Sequence, residues 1–210
     1  MIGITDYQAG NLQNLQNALD YIEVESKIFK SPEGLEDVDK IILPGVGAFG
    51  HAAENLKKFG FWDPIIELVT QKDVPILGIC VGMQLLFSES SEGGSHEGLG
   101  IIAGKVRRFE STDLKIPQMG WNRVSFANED PIFDRIIDGS WFYFVHSYAC
   151  RPDSNREEVG VSDYGDNFCS VARKGNVWGV QFHPEKSQNQ GLQLLHNFSN
   201  IKELAAQYSS

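Results

Sequence analysis

The first half of this 210-residue chain alternates short apolar runs with segments that have the pattern of helices. The apolar runs are predicted to be strands and span residues 2–5, 24–29, 41–43 and 74–79. The segments predicted to be helices span residues 12–22, 52–59 and 64–71. This βαβ alternation predicts an α/β fold with a central, mostly parallel sheet flanked by helices on both faces. Asp63 and Pro64 have the residue types of an N-cap and a first helical position.

The second half of the chain is rich in predicted strands. They span residues 106–109, 122–126, 140–149, 159–161, 168–172 and 176–182. Turn signals at 164–167 and 174–176 predict antiparallel hairpins. Ser187 and Gln190 have capping-box spacing and predict a final helix that runs to about Ala206. We find no internal repeat, low-complexity tract or linker, so we expect one mixed α/β domain over residues 1–210.

Composition excludes several classes of protein. The chain is 41% hydrophobic and 22% charged, which is enough apolar material for one globular domain with a sizeable core. No apolar stretch approaches the roughly 20 residues of a membrane span, and the N-terminal residues lack the pattern of a signal peptide. The formal net charge of −10 would repel phosphate backbones, which argues against binding to nucleic acid.

The three cysteines, Cys80, Cys150 and Cys169, are widely spaced and odd in number. Because no Cys-x-x-Cys occurs, neither a disulfide framework nor a zinc knuckle is indicated. We therefore expect reduced thiols and a cytoplasmic location.

Cys80 lies in a Gly-x-Cys-x-Gly turn between a buried strand and an apolar segment predicted to be helical. Strand, turn and helix in this order are the context of a nucleophile elbow. Gly78 and Gly82 permit the sharp turn, and a helix N-terminus next to Cys80 favours the thiolate. Taken alone, the segment is explained equally well by a buried structural cysteine.

A glycine-rich segment follows the third predicted strand, where Gly45, Gly47 and Gly50 match a dinucleotide-binding pattern. That pattern belongs after a first strand, and no acidic residue clearly ends a following strand about 20 residues later. We interpret the segment as a turn whose peptide N–H groups stabilise an oxyanion formed at Cys80. A plain tight turn is the alternative.

His183 and Glu185 stand two residues apart at the end of a late predicted strand. His183 has the chemistry to take the thiol proton and later to protonate a leaving amine, and Glu185 to orient the imidazole. An isolated His-x-Glu is more often structural. The spacing fits no metal-binding motif, so neither a metal nor another cofactor is predicted. His146 lies inside an aromatic strand, which indicates a core histidine with its hydrogen bonds satisfied.

The three segments together supply a nucleophile, a base with its orienting acid, and oxyanion donors, all at the carboxyl ends of predicted strands. Residues 44–47, 78–84 and 181–186 closely resemble the motifs of the class I (triad) glutamine amidotransferases. More narrowly, they resemble the glutaminase subunits of imidazole glycerol phosphate synthase. Residues 6–7, 9–12, 119–122 and 144–148 match as well, so the resemblance covers nearly the whole chain.

The resemblance implies that Cys80 attacks the side-chain amide of glutamine to form a glutamyl thioester and release ammonia. His183 is then the general acid and base, and Glu185 is its orienting residue. The implied oxyanion residues are Gly45, Val46, Gly47 and Val81. The implied substrate-binding residues are Gln84, Glu92, Ser147 and Tyr148.

The resemblance also implies a heterodimer in which ammonia passes to a (β/α)₈-barrel cyclase that makes imidazole glycerol phosphate and aminoimidazole carboxamide ribotide. The implied interface residues are Trp121, Asn122, Tyr143 and Lys186. The residues alone would make Trp121 and Tyr143 core aromatics and Lys186 a solvated charge.

Three positions depart from the family pattern. Gln8 replaces a common Gly, Gln118 a common His and Val81 a common Leu. None of them belongs to the triad. Because Gln8 and Gln118 depart from the family pattern, the resemblance does not fix the surface that binds the partner. The main alternative is a paralogous glutaminase that supplies ammonia to a sugar-modifying enzyme of surface-polysaccharide synthesis. A catalytically silent binding module and a cysteine peptidase are further alternatives.

Overall fold

The computed structural model describes residues 1–110 and 114–208. The strands are β1 (Ile2–Thr5), β2 (Ser26–Phe29), β3 (Lys40–Gly45), β4 (Ile76–Cys80), β5 (Phe87–Ser90), β6 (His96–Glu97), β7 (Ile102–Arg108), β8 (Gln118–Phe126), β9 (Ser140–His146), β10 (Tyr148–Pro152), β11 (Glu158–Asp163), β12 (Asn167–Lys174) and β13 (Val177–Val180). The α-helices are α1 (Leu12–Tyr21), α2 (Phe49–Lys58), α3 (Trp62–Thr70), α4 (Val81–Leu85), α5 (Gln188–Ser199) and α6 (Ile201–Tyr208).

These strands join in one sheet whose main path runs β2-β1-β3-β4-β13-β12-β10-β7-β5-β6. The first five strands of this path are mutually parallel, and β12 is antiparallel to β13. Strands β8, β9 and β11 branch from the path as an antiparallel extension that starts at β12. The expected mostly parallel centre and antiparallel second half are confirmed.

The adjacency of β3, β4 and β13 positions the site. Every residue of β3 and β4 is buried, as is typical of a parallel sheet covered on both faces. Gly45 at the end of β3 lies in register with Cys80 at the end of β4. Strand β13 flanks β4 on the other side and ends shortly before His183. The three predicted site segments therefore emerge side by side at one edge of the sheet.

The start of α3 differs from the prediction. The N-cap is Phe61, so Asp63 and Pro64 occupy the second and third helical positions, and the predicted capping by Asp63 is wrong. Both residues are still compatible with the first turn. A carboxylate there complements the helix dipole, and a proline there forfeits no intrahelical hydrogen bond.

The C-terminal helix also differs from the prediction, because it is divided into α5 and α6 at Asn200. The Asn200 side chain donates to the carbonyl of His196 (3.0 Å) and helps to end α5. Ser187 occupies the N-cap position of α5, but its hydroxyl does not cap the helix. It donates instead to the His183 carbonyl (2.6 Å) and accepts the Tyr143 N–H (3.0 Å). The predicted capping box is therefore absent, since the hydroxyl ties two other segments together.

Two predicted elements have different bounds in the structure. The apolar segment after Cys80 is helical only to Leu85, and Phe87 begins β5. A short, fully buried apolar run has no periodicity that distinguishes a helix from a strand. The strand predicted over residues 140–149 breaks at Ser147, so that β9 pairs with β8 whereas β10 pairs with β7 and β12.

The longest α-helix among the described residues, α5, has 12 residues. A helix needs roughly 20 apolar residues to cross a bilayer. None of the helices in the described ranges meets the length and hydropathy that such a span requires.

Candidate active site

Cys80 occupies a sharp turn between β4 and α4, with φ 55° and ψ −110°. Such a conformation costs a non-glycine residue about 1–3 kcal/mol and persists only where the surroundings enforce it. A Cβ on Gly78 would lie 2.7 Å from the Met83 nitrogen, and one on Gly82 would overlap the Leu43 carbonyl oxygen. The two glycines therefore let α4 fold tightly onto β3 and β4, as the nucleophile elbow requires.

His183 and Glu185 form a buried pair in the turn after β13. His183 Nδ1 lies 2.9 Å from Glu185 Oε1, and the two side chains are only 6% and 5% exposed. The His183 N–H donates to the Tyr143 carbonyl (2.9 Å), and Ser187 holds the His183 carbonyl. These hydrogen bonds fix the turn against β9.

The charge of His183 depends on its neighbours. Burial alone would lower the pKa of His183, but hydrogen bonds to Cys80 and Glu185, together with the charges of both, raise it to about 10. The imidazolium form is therefore favoured at neutral pH. Glu185 Oε2 is buried and has no hydrogen-bond partner among the described residues.

A pocket of about 320 Å³ opens above Cys80, within the range of small-molecule sites. Its lining residues are Val46, Gly47, Cys80, Val81, Gln84, Glu92, Pro117, Val145, His146, Ser147, Tyr148, His183 and Lys186. The pocket thus brings together all four residues expected to bind substrate, three of the four expected oxyanion residues and two members of the triad. Gly45 and Glu185 instead line a small neighbouring cavity, which also borders His183.

The expected oxyanion segment has its central N–H turned away from the pocket. Val46 donates this N–H to the Ala9 carbonyl (2.9 Å). The adjacent Gly47 has φ 91°, a conformation that glycine adopts without strain. Val46 can serve as an oxyanion donor only after its peptide has turned towards Cys80.

Two of the expected substrate-binding residues already hold protein groups. The Gln84 amide donates to the Tyr148 carbonyl (3.3 Å) and to Gln181 Oε1 (3.1 Å). Glu92 Oε2 accepts the N–H of Phe49 (2.7 Å), the first residue of α2. These contacts orient both side chains at the rim of the pocket before any substrate binds.

Sequence reasoning gave no role to Gln181, although it is fully buried and its Nε2 lies 3.7 Å from Cys80 Sγ. The available signal was its position two residues before His183, which in extended chain places both side chains on one side. Tyr7 was likewise assigned no role. Its hydroxyl donates to the Pro44 carbonyl beside the expected oxyanion segment, and burial raises its pKa.

His146 is the core histidine that the sequence indicated. Burial lowers the pKa of His146 to about 4, so its ring is neutral and carries one N–H. Nδ1 donates this proton to the Tyr148 carbonyl (2.7 Å), and Nε2 accepts from the side-chain amide of Gln118 (3.0 Å). Among the described residues, no group of three or more His, Cys, Asp and Glu side chains is arranged to hold a metal ion.

The expected partner residues lie on the β8–β9 hairpin and the turn beside it. Trp121 faces Tyr143 across the hairpin with ring centroids 6.0 Å apart, and Lys186 Nζ lies 6.0 Å from the Tyr143 ring. Trp121 is 45% exposed, so it is not the core aromatic that the residues alone suggested. Asn122 points to the other side of β8 and donates to the Asp163 carbonyl (2.8 Å). The structure therefore groups Trp121, Tyr143 and Lys186 but not Asn122.

Comparison with known proteins agrees with this geometry. Residues 3–201 match the family model for the class-I glutamine amidotransferases. The chain is 47% identical over 200 residues to the imidazole glycerol phosphate synthase subunit HisH of Chlorobium luteolum, covering 95% of this chain and 99% of the relative. It is 48% identical over 203 residues to the HisH subunit of Methanocaldococcus jannaschii, covering 96% of this chain and all of the relative.

Solved structures show the same fold at low sequence identity. A crystal structure of a glutamine amidotransferase superposes with a TM-score of 0.74 at 20% identity and covers 98% of each chain. PurLQS from Thermotoga maritima gives a TM-score of 0.72 at 17% identity, covering 96% of this chain and 98% of that one. The family match over nearly the whole length, together with these relatives, shows that the chain belongs to the class-I glutamine amidotransferase family.

Proposed function

We propose that the chain hydrolyses glutamine to glutamate and ammonia with Cys80, His183 and Glu185, and delivers the ammonia to a synthase partner in histidine biosynthesis. The observation that carries this proposal is the convergence of an elbow cysteine with a buried, carboxylate-paired histidine at one pocket. The names of the relatives support the same assignment.

The proposed reaction has two halves. The Cys80 thiolate attacks the carbonyl carbon of the glutamine side chain, and the resulting tetrahedral intermediate carries a negative oxygen. His183 donates its proton to the nitrogen as the C–N bond breaks, which releases ammonia and leaves a glutamyl thioester. His183 then takes a proton from water as the water oxygen attacks the thioester carbonyl. Glutamate leaves and the thiolate returns.

The electrostatics of His183 fit these steps. With a pKa raised to about 10, the ring carries a proton at neutral pH and is ready to protonate the departing nitrogen. The imidazolium also stabilises the Cys80 thiolate beside it. Glu185 at Nδ1 directs the Nε2 face of the ring towards the reacting atoms.

Oxyanion stabilisation requires a change at Val46. We place the donors at the N–H groups of Val46 or Gly47 and of Val81, which follows the nucleophile. Because the Val46 N–H is held by Ala9, its peptide must turn before it can donate to the oxyanion. The peptide that carries this N–H joins Gly45 to Val46, and the conformational freedom of Gly45 permits the rotation. We therefore expect slow glutamine hydrolysis in the isolated chain and faster hydrolysis in the complex.

The proposed partner is a (β/α)₈-barrel cyclase that uses the ammonia to form imidazole glycerol phosphate and aminoimidazole carboxamide ribotide in the cytoplasm. We place its docking surface on the exposed hairpin face of Trp121 and Tyr143. Lys186 connects this face to the site, since it lines the pocket and packs on Tyr143. The relatives' name, a subunit of imidazole glycerol phosphate synthase, favours this acceptor over a sugar-modifying enzyme.

Replacement of Cys80 by Ala in the reconstituted complex tests the proposal. We expect glutamine-dependent synthesis to disappear while synthesis from free ammonium by the partner continues, because the variant loses the nucleophile and keeps the partner's site. Cys169→Ala is the matched control, since this buried thiol lies away from the pocket and its loss leaves both activities in place. Equal loss of both activities in Cys80→Ala would refute the role of Cys80.

A further inference from the structure

Two buried amides connect the nucleophile to the far wall of the pocket. Gln181 Nε2 lies 3.7 Å from Cys80 Sγ, and Gln84 Nε2 lies 3.1 Å from Gln181 Oε1. Gln84 Nε2 also lies 3.3 Å from the Tyr148 carbonyl oxygen. Cys80, Gln84 and Gln181 are exposed by 4%, 3% and 0%, so water does not compete strongly for these contacts.

The direction of this chain of hydrogen bonds is fixed from one end. The Tyr148 carbonyl can only accept a hydrogen bond, so Gln84 must present its NH₂ group there. The second N–H of that group then points at Gln181, which must receive it with its oxygen. Gln181 is thereby forced to direct its own NH₂ group at Cys80 Sγ.

We propose that Gln181 is a positioning residue that donates a hydrogen bond to the Cys80 thiolate and holds Gln84 in the orientation that binds substrate. The inference rests on the proposed function, in which Cys80 is the nucleophile. A thiolate can only accept hydrogen bonds and therefore matches the N–H that Gln181 presents. A thiol accepts hydrogen bonds only weakly and has a proton to donate, for which the Val145 carbonyl lies 3.8 Å from Sγ.

The same hydrogen-bond directions determine which atom of Gln84 is free to contact a ligand. Both of its N–H groups are used by Tyr148 and Gln181, so Oε1 is the atom left to accept a hydrogen bond. An acceptor on the pocket wall suits an ammonium group, such as that on the α-carbon of an amino acid. The ionised nucleophile and the acceptor for the substrate are thus held by one chain of hydrogen bonds.

The test measures how fast iodoacetamide alkylates Cys80 between pH 5 and pH 10, with the modified residue identified by mass spectrometry. Cys150 and Cys169 interfere little, because burial raises the pKa of both thiols. In Gln181→Met we expect alkylation at neutral pH to slow about tenfold and the midpoint of its pH profile to rise by about one unit. An unchanged midpoint in the folded variant would overturn the proposal.

A second variant tests whether Gln84 and Gln181 act on Cys80 through connected hydrogen bonds or only by packing around its sulfur. Gln84 makes no hydrogen bond to Cys80, yet Gln84→Met frees Gln181 to turn its amide, so we expect alkylation to slow about threefold. The double variant should be no slower than Gln181→Met alone. If the effects of the single variants multiply in the double variant, the two residues act independently and the proposed coupling is wrong.

Ser170→Ala provides the control. Ser170 is fully buried, its carbonyl accepts the Gln181 N–H, and its hydroxyl has no partner among the described residues. We expect its alkylation profile to match that of the wild type, and a shift as large as that of Gln181→Met would assign the effect to general loosening of the core. Alkylation reports on the thiolate alone, so its outcome is independent of whether Cys80→Ala abolishes glutamine-dependent synthesis.

Discussion

Replacing Glu185 by Gln tests how far the negative charge of Glu185 raises the pKa of His183. His183 Nδ1 lies 2.9 Å from Glu185 Oε1, and both side chains are buried. Burial lowers the pKa of His183, whereas hydrogen bonds to and charges on Cys80 and Glu185 raise it to about 10. Glutamine has nearly the same shape as glutamate and keeps an oxygen acceptor, so the substitution removes chiefly the negative charge.

The expected effect follows from the size of the pKa shift. The rise from the ordinary value of 6.5 to about 10 corresponds to roughly 5 kcal/mol in favour of the imidazolium. Cys80 and Glu185 together supply this free energy and also offset the opposing effect of burial, so losing the charge of Glu185 should lower the titration midpoint of His183 by roughly 1.5 pH units. A raised pKa in the folded state stabilises the fold fully below pH 6.5, and this contribution is lost as the pH rises through about 10. In the variant the loss begins at the same pH, because the unfolded-state pKa is unchanged, but the contribution is smaller and is completely lost at a lower pH.

The measurement is an NMR titration of the His183 ring, combined with thermal unfolding across the same pH range. The control is Glu89→Gln, which removes an exposed carboxylate paired with Lys105 and Arg107 and should leave the midpoint of His183 unchanged. A midpoint in Glu185→Gln that equals or exceeds the wild-type value would refute the reasoning.

Two further predictions concern the partner surface and the elbow. Trp121→Ala should weaken binding of the proposed cyclase partner by roughly 2 kcal/mol in isothermal titration calorimetry, because aromatic anchors dominate interfaces. The control is Tyr21→Ala, which removes a side chain on α1 that is 77% exposed and should leave the affinity unchanged; equal losses would contradict the assigned surface. Gly82→Ala should lower the free energy of unfolding by more than roughly 3 kcal/mol in chemical denaturation, because its Cβ meets the Leu43 carbonyl. The control is Gly100→Ala, because Gly100 has φ 65° and open space around it, so the free energy of unfolding should fall by only about 1 kcal/mol. Similar decreases at the two positions would argue against a tight elbow.

The location of the site was predictable because parallel strands impose it. Residues 41–43 and 74–79 are predicted as strands of one mostly parallel sheet, so their carboxyl ends are expected at the same edge. Residues 176–182 are predicted in an antiparallel hairpin, and the structure adds that β13 also pairs in parallel with β4, which brings His183 to Cys80. The family resemblance supplied what strand order alone could not, namely the substrate and the partner.

The orientation of single groups was not predictable from the pattern. Residue types do not fix the orientation of the peptide between Gly45 and Val46, because glycine tolerates many backbone conformations, and in the structure its N–H donates to the Ala9 carbonyl. Ser187 had the sequence signature of a helix cap, but its hydroxyl bonds the His183 carbonyl instead. Hydrogen bonds between segments distant in sequence decide such choices, and residue spacing carries no information about them.

Strand β9 connects the proposed docking face to the residues of the triad. The ring of Tyr143 lies on that face, while its carbonyl accepts the His183 N–H (2.9 Å) and its N–H donates to Ser187 (3.0 Å). Two residues further along the same strand, the Val145 carbonyl lies 3.8 Å from Cys80 Sγ. The backbone of a single strand therefore contacts both the nucleophile and the acid–base residue. A partner bound at Trp121 and Tyr143 would contact β9, the strand whose backbone holds Cys80 and His183. Partner binding can therefore shift both residues through this strand.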